Sequence, residues 1–255
     1  MGRFFALLRY QIRALFIAPS TYAAAFLFTL LMGGIYMLSL IDVSSSGGGK
    51  SPIDLFLQLF WFPVLFMVPM LTMRSIAEER RMGTLQALMT TPVSAFEIVF
   101  AKFLACYMLY IFFWLLTLFF PIVTVLSLPE TGVDDRIFSI SQIVLGYTFI
   151  FVSGAMYVAI GVFASSLTRS TLVAGMLSFC ILFIALTGSA IAYKFVLSDP
   201  SWGVLLESTT AYLQTFRHLE DFGKALLDTR PFFLYFSSAA AFIAVTALIT
   251  ENKAS

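Results

Sequence analysis

Residues 22–41 read YAAAFLFTLLMGGIYMLSLI, from Tyr22 to Ile41, with no charged side chain anywhere in the run. At a rise of about 1.5 Å per residue, a helix of that length crosses about 30 Å, the thickness of a bilayer's hydrocarbon core. Further uncharged runs of the same or greater length occupy Phe103–Pro129, Ile137–Thr168, Ser170–Tyr193 and Pro231–Thr250. The run Leu55–Met73 is slightly shorter and carries Pro63 and Pro69, which predicts a kinked or locally irregular helix. The expected fold is an all-α integral membrane protein, one transmembrane domain over residues 1–255, with six spans at about 20–41, 55–73, 95–127, 137–166, 170–195 and 231–250. Composition agrees: 60% of the residues are hydrophobic and 11% charged, with a mean hydropathy of +0.95. Soluble domains carry roughly 25% charged residues and could not hide so much apolar surface. A net charge of +1 argues against a nucleic-acid partner and leaves membrane lipids as the surrounding medium.

Ahead of the first span, residues 3–17 have a different pattern. On a helical wheel Phe4, Phe5, Leu8, Ile12, Leu15 and Phe16 share one face, while Arg3, Arg9, Gln11 and Arg13 avoid it. That is an amphipathic helix expected to lie along the membrane, its arginines toward anionic headgroups. Arg9 and Arg13 also interrupt any continuous apolar core of a cleavable leader. Six spans place both termini on one side, together with nine basic residues against six on the other, which predicts cytoplasmic termini.

Chemistry-bearing constellations are sparse. Cys106 and Cys180 fall in apolar runs without metal-ligand spacing, and read as small buried hydrophobes. His218, the sole histidine, sits beside Glu220 and Asp221 without converging ligands, and reads as a solvated face residue. Gly49-Lys50-Ser51 lacks the upstream glycine and strand of a phosphate-binding loop. No catalytic, cofactor-binding or metal residues are therefore expected in this chain. Within the spans, the lysines at the ends, Lys102 and Lys194, are expected to snorkel, and no carboxylate is available for a proton or sodium relay. Any pathway is apolar and aromatic, which suits an amphiphilic or lipid-linked substrate.

The loop 74–94 carries the most information. Thr84 is expected to cap a short helix just after Gly83, with Leu85, Leu88 and Met89 forming an exposed apolar ridge and Pro92 ending it. Ser94 and Glu97 form a capping-box pattern that starts the third span. A ridge beside charged residues fits a partner's groove. In the outer segment 199–230, Leu213, Phe216, Leu219, Phe222 and Leu226 recur at three- and four-residue steps, predicting a second amphipathic helix with Glu220 and Lys224 paired on its polar side.

The stretch Glu78, Glu79, Arg80, Arg81, Gly83, Thr84, Leu85, Leu88, Met89, Thr91 and Pro92, followed by Glu97 and Lys102, resembles the first cytoplasmic loop of ABC type-2 transporter permeases. The likeness is nearest to the bacterial gliding-motility and copper-processing type, although Gln86 stands where an acid is common and Ala101 where glycine is common. The resemblance implies that this loop holds a coupling helix for a separate ABC ATPase dimer, which would bind ATP and magnesium, and that a second permease chain, identical or related, completes the transporter. It also implies the bacterial inner membrane, a second cytoplasmic contact at Ser165–Ser170, and a place for Phe216, Leu219, Phe222 and Leu226 at the outer gate. From the residues alone, a membrane anchor or scaffold that recruits a cytosolic partner without moving a substrate remains the alternative.

Overall fold

The computed structural model describes residues 2–45, 52–89, 93–127, 140–198 and 229–252. These form helices α1 (Gly2–Ile17), α2 (Pro19–Ser45), α3 (Pro52–Gln58), α4 (Trp61–Thr72), α5 (Ala77–Met82), α6 (Thr84–Met89), α7 (Ala95–Thr117), α8 (Phe119–Ser127), α9 (Ile140–Leu167), α10 (Thr171–Ser198) and α11 (Arg230–Asn252). No strand occurs among the described residues. Five stretches are long and apolar enough to cross a membrane: Pro19–Ser45, Ala95–Thr124, Ile140–Leu167, Thr171–Gly188 and Arg230–Asn252.

The stretch expected as a sixth span is two helices, neither long enough alone. Pro63 lacks an N–H and its ring would strike the carbonyl one turn earlier, at Leu59. The chain turns at Leu59–Phe60, where Phe60 N–H donates to the Leu57 carbonyl (3.2 Å) and Phe62 N–H to that of Leu59 (3.2 Å), the tighter three-residue pattern. Pro121 has the same effect between α7 and α8, where Leu118 N–H donates to Leu115 (3.2 Å). The long run from Ile137 resolves into a single helix, α9, of 28 residues.

Helix α9 is the centre of the bundle, packed by α10, α11, α7 and α4. Its small residues allow this. A Cβ on Gly146 would overlap Leu57, on Gly154 the Tyr110 ring, and on Gly161 Thr72, so one ridge of α9 admits α3, α7 and α4 at close range. Around it lies an aromatic core of Phe28, Phe60, Trp114, Tyr147, Phe149 and Tyr235. Buried hydroxyls bond back to their own helices, as Thr72 does to Val68 (2.8 Å) and Thr250 to Thr246 (2.7 Å), which keeps polar atoms satisfied away from water. The outward faces of α2, α8, α10 and α11 expose large apolar side chains, among them Phe26, Leu126, Leu172 and Phe233, the surface that lipid covers.

Helix α1 forms as predicted in extent, but its faces differ from the wheel. It packs against α7, with Phe4 stacked on Phe100 (5.9 Å) and Leu8 buried. Phe5 is exposed, and Gln11, placed on the polar side by sequence, is buried at 8% exposure. The wheel assumes one apolar neighbour; α1 has α7 on one flank and the residue 74–84 loop on the other. Cys106 is buried and Cys180 is exposed, so only the first fits the expectation for both. The expected outer helix with Phe216, Leu219, Phe222 and Leu226, and His218 with it, lies outside the described residues, as do Thr91 and Pro92.

Candidate coupling site

The segment between α4 and α7 folds as two helices, where one was expected. Helix α5 places Glu78 and Glu79 in its first turn and Arg80 and Arg81 in its last, each sign matched to the helix dipole. Gly83 closes it in the left-handed conformation, φ +73°, a backbone state that glycine adopts without a Cβ clash. Thr84 gives its hydrogen bond to α5. Its hydroxyl donates back to the Glu79 carbonyl (3.3 Å) and so covers an end of α5, while Thr84 itself is the first residue of α6. The capping box at α7 is as predicted: Glu97 N–H donates to Ser94 Oγ (3.2 Å) and Ser94 N–H to Glu97 Oε2 (3.0 Å).

The start of α5 is capped from across the bundle. Ser165, near the end of α9, accepts from the N–H groups of Ile76 (3.1 Å) and Ala77 (3.0 Å) and donates to the Met73 carbonyl (3.2 Å). Arg80 Nη1 donates to the Ser166 carbonyl (2.6 Å), closing the turn that leads to α10. Burial, and next the neighbouring Arg169, lower the Arg80 guanidinium from its ordinary value. The turn singled out at Ser165–Ser170 is thus brought directly against α5.

Lys102 makes the third connection. It does not snorkel: at 2% exposure, its Nζ donates to the Ser75 carbonyl (2.7 Å) and to Glu79 Oε1 (2.5 Å). Helix α7 is therefore tied to α5 by a buried ion pair. Glu78 stands between Arg74 (4.0 Å) and Arg81 (3.8 Å) on the wetter side, where such pairs contribute little.

These contacts decide what faces outward. Leu85 is buried at 3% exposure and Leu88 is half-buried, so the expected ridge is turned inward at its first member, and the side chain of Met89 lies outside the described residues. The exposed edge is Arg81, Met82, Gly83 and Thr84, with Met82 at 59%. Sequence reading missed the exposure of Met82, Ser165 as a cap and Lys102 as a buried tie. Lys102 alone carried a signal, an isolated cation just inside an apolar run.

Behind this loop, α1, α2, α4 and the segment 74–88 enclose a cavity of about 290 Å³, lined by Gln11, Ser75 and Glu79 among others. A second hollow, about 340 Å³, lies between α4 and α10 and is lined by Phe66, Met70, Met176 and Phe179. No group of three His, Cys, Asp or Glu side chains suited to a metal occurs among the described residues.

A bundle of apolar helices carrying such a loop defines a multi-pass membrane transport component. Residues 41–254 match the family described as ABC-2 family transporter protein, and the chain belongs to that family as a permease subunit of an ABC transporter. Members of this family work with an ABC ATPase partner. No curated protein matches the chain.

Proposed function

We propose that the chain is the permease of an exporter for an amphiphilic or lipid-linked substrate, driven by an ATPase dimer that docks on the loop 78–92. The observation that carries this is the triple attachment of α5 to the bundle through Lys102, Ser165 and Arg80. A force applied at the exposed Arg81–Thr84 edge reaches α7 and α9 through buried, partly charge-assisted hydrogen bonds, which are stronger than neutral ones. A loop that served only as a tether would not require them. The apolar hollow between α4 and α10 suits the hydrocarbon part of such a substrate.

In this reading α3 and α4 together make one broken crossing, giving six in all, with both termini cytoplasmic in a bacterial inner membrane. Two permease chains, identical or related, pair above two ATPase subunits, which hold ATP and magnesium. The loop motif favours the gliding-motility and copper-processing type. Glu78, Glu79, Arg80, Arg81, Gly83, Thr84, Leu85, Leu88, Met89, Thr91 and Pro92 form the coupling region, with Phe216, Leu219, Phe222 and Leu226 assigned to the outer gate.

Met82→Asp tests the docking surface. It is expected to abolish co-purification of the ATPase subunit while leaving thermal unfolding of the permease in detergent unchanged, because Met82 is 59% exposed. Leu85→Asp, at a buried position, is expected to destabilise the chain itself. Undiminished ATPase capture by the Met82→Asp protein overturns the assignment of this edge. A captured ATPase whose nucleotide cycle moves no helix of the permease favours a scaffold instead.

A further inference from the structure

Three buried polar atoms without a hydrogen-bond partner, Gln11 Nε2, Ser75 Oγ and Glu79 Oε2, belong to residues that line the 290 Å³ cavity between α1 and the coupling loop. Such atoms are costly to leave unpaired, and native proteins rarely concentrate them. Gln11 is more than nine-tenths buried, on a helix whose exposed polar positions would have kept an amide in water at no cost. The volume sits at the lower limit of ligand pockets, enough for a headgroup and too small for a large substrate.

The three atoms sort by chemistry. Glu79 gives one carboxylate oxygen to Lys102, and its other oxygen is an acceptor without a donor. The Gln11 amide and the Ser75 hydroxyl are donors, and Arg74, which lies 4.0 Å from Glu78 on the same lining, adds further N–H donors. An ammonium with N–H donors therefore matches one side and a phosphate the other. Leu15 and Leu71 continue the lining as an apolar wall, where a glycerol backbone and chains would lead. The cavity lies where α1 meets the start of α2 and where α4 ends in the coupling loop, positions that the membrane reading puts at the headgroup layer.

We propose that this cavity binds the zwitterionic headgroup of an ethanolamine phospholipid from the adjacent leaflet, its ammonium on Glu79 and its phosphate on Gln11, Ser75 and Arg74. A choline headgroup carries no donor for Glu79, and a glycerol headgroup offers only neutral hydroxyls without a cation, so each matches the carboxylate less well. The site rests on the membrane reading of the bundle and is independent of transport or of any ATPase, so its failure and the failure of the transport reading are separable.

The test is native mass spectrometry of the detergent-purified full chain, titrated with short-chain ethanolamine, choline or glycerol phospholipid. Ethanolamine lipid is expected to be retained over the other two by about tenfold, the scale of one charge-assisted hydrogen bond. Gln11→Met, which keeps the shape and removes the amide, and Ser75→Ala are expected to weaken retention of all three lipids, because both residues face the common phosphate, whereas Glu79→Gln is expected to bring the preference near parity; if Glu79→Gln folds poorly, the other two carry the test. Free O-phosphoethanolamine should not displace the lipid at comparable concentration. Equal retention of the three lipids means that water fills the cavity and overturns the proposal. A preference unchanged in Glu79→Gln, or retention unchanged in both Gln11→Met and Ser75→Ala, overturns the location, and displacement by the soluble compound at the lipid's own concentration overturns the lipid source.

Discussion

Removing either partner of the Lys102–Glu79 pair should cost unequal amounts. Lys102 is 2% exposed and the Glu79 side chain 20%, so the two orphaned charges have different access to water. Glu79→Ala strands an ammonium that keeps only the Ser75 carbonyl, a buried unpaired charge costing about 3–5 kcal/mol. Lys102→Met strands a carboxylate that can rehydrate from the loop surface, and the Met stem preserves most of the packing. We therefore expect about 2 kcal/mol, near the worth of a hydrogen bond to a charged group. The double variant leaves no orphan charge and should cost less than the sum by about 1–3 kcal/mol. The assay is denaturant unfolding of the four proteins in one detergent, with hydrogen exchange of the amides in 76–82 as a local readout. Because α5 is held to α7 by this pair, those amides should lose protection ahead of the spans. Costs that add within about 0.5 kcal/mol, or a Lys102→Met loss larger than that of Glu79→Ala, would refute the buried tie and with it the route from the loop to α7.

Ser165→Ala removes the acceptor for the Ile76 and Ala77 N–H groups, and should cost about 1–2 kcal/mol with faster exchange confined to those amides. A loss of protection spread evenly over α9 would contradict the cap. Gly154→Ala drives a methyl into the Tyr110 ring and should lower stability by about 1–3 kcal/mol through separation of α7 and α9; an unchanged melting temperature would mean that the two helices do not meet there.

The parts of the fold that sequence revealed are those whose causes are local. An uncharged run contains its own reason for being a helix in lipid, Pro63 announces a break one turn upstream, and Ser94 with Glu97 spells a cap within four residues. The parts it concealed have distant causes. Glu78–Arg81 reads in the sequence only as charged residues beside the expected ridge, because the groups that make it the helix α5 come from elsewhere: the Ser165 cap lies 88 residues from Ala77, and Lys102 lies 23 from Glu79. Gln11 was misplaced for the same reason. A helical wheel sorts side chains relative to one boundary, and α1 has two. The loop 74–94 stands out in the sequence as a stretch, while which of its residues face outward depends on those remote contacts.

The two proline breaks bear on how far a push at the loop can travel. The turn between α3 and α4 and the turn between α7 and α8 adjoin the same aromatic core: Phe60 at the first lies 6.5 Å from Trp114, and Thr117 at the second is hydrogen-bonded to Tyr147 (2.8 Å). Between the loop and these turns α7 is a continuous helix, stiff enough to move as a rod, and α4 is a single helix with Pro69 inside it. At the turns the backbone ladder is already interrupted, so bending there breaks fewest bonds. A displacement of α5 should therefore rotate the loop-side portions of α4 and α7 about the aromatic core, leaving α3 and α8 to change angle. Pro121→Ala would restore the ladder between α7 and α8, raising thermal stability by up to about 3 kcal/mol. Spin labels at the exposed positions Met108 and Leu126, on either side of the break, would report the angle in the complex with its ATPase. Their separation should change on nucleotide binding in the parent protein and stay constant in the Pro121→Ala variant. An identical change in both would place the pivot elsewhere, and the stiffness of α7 would then carry no part of the coupling.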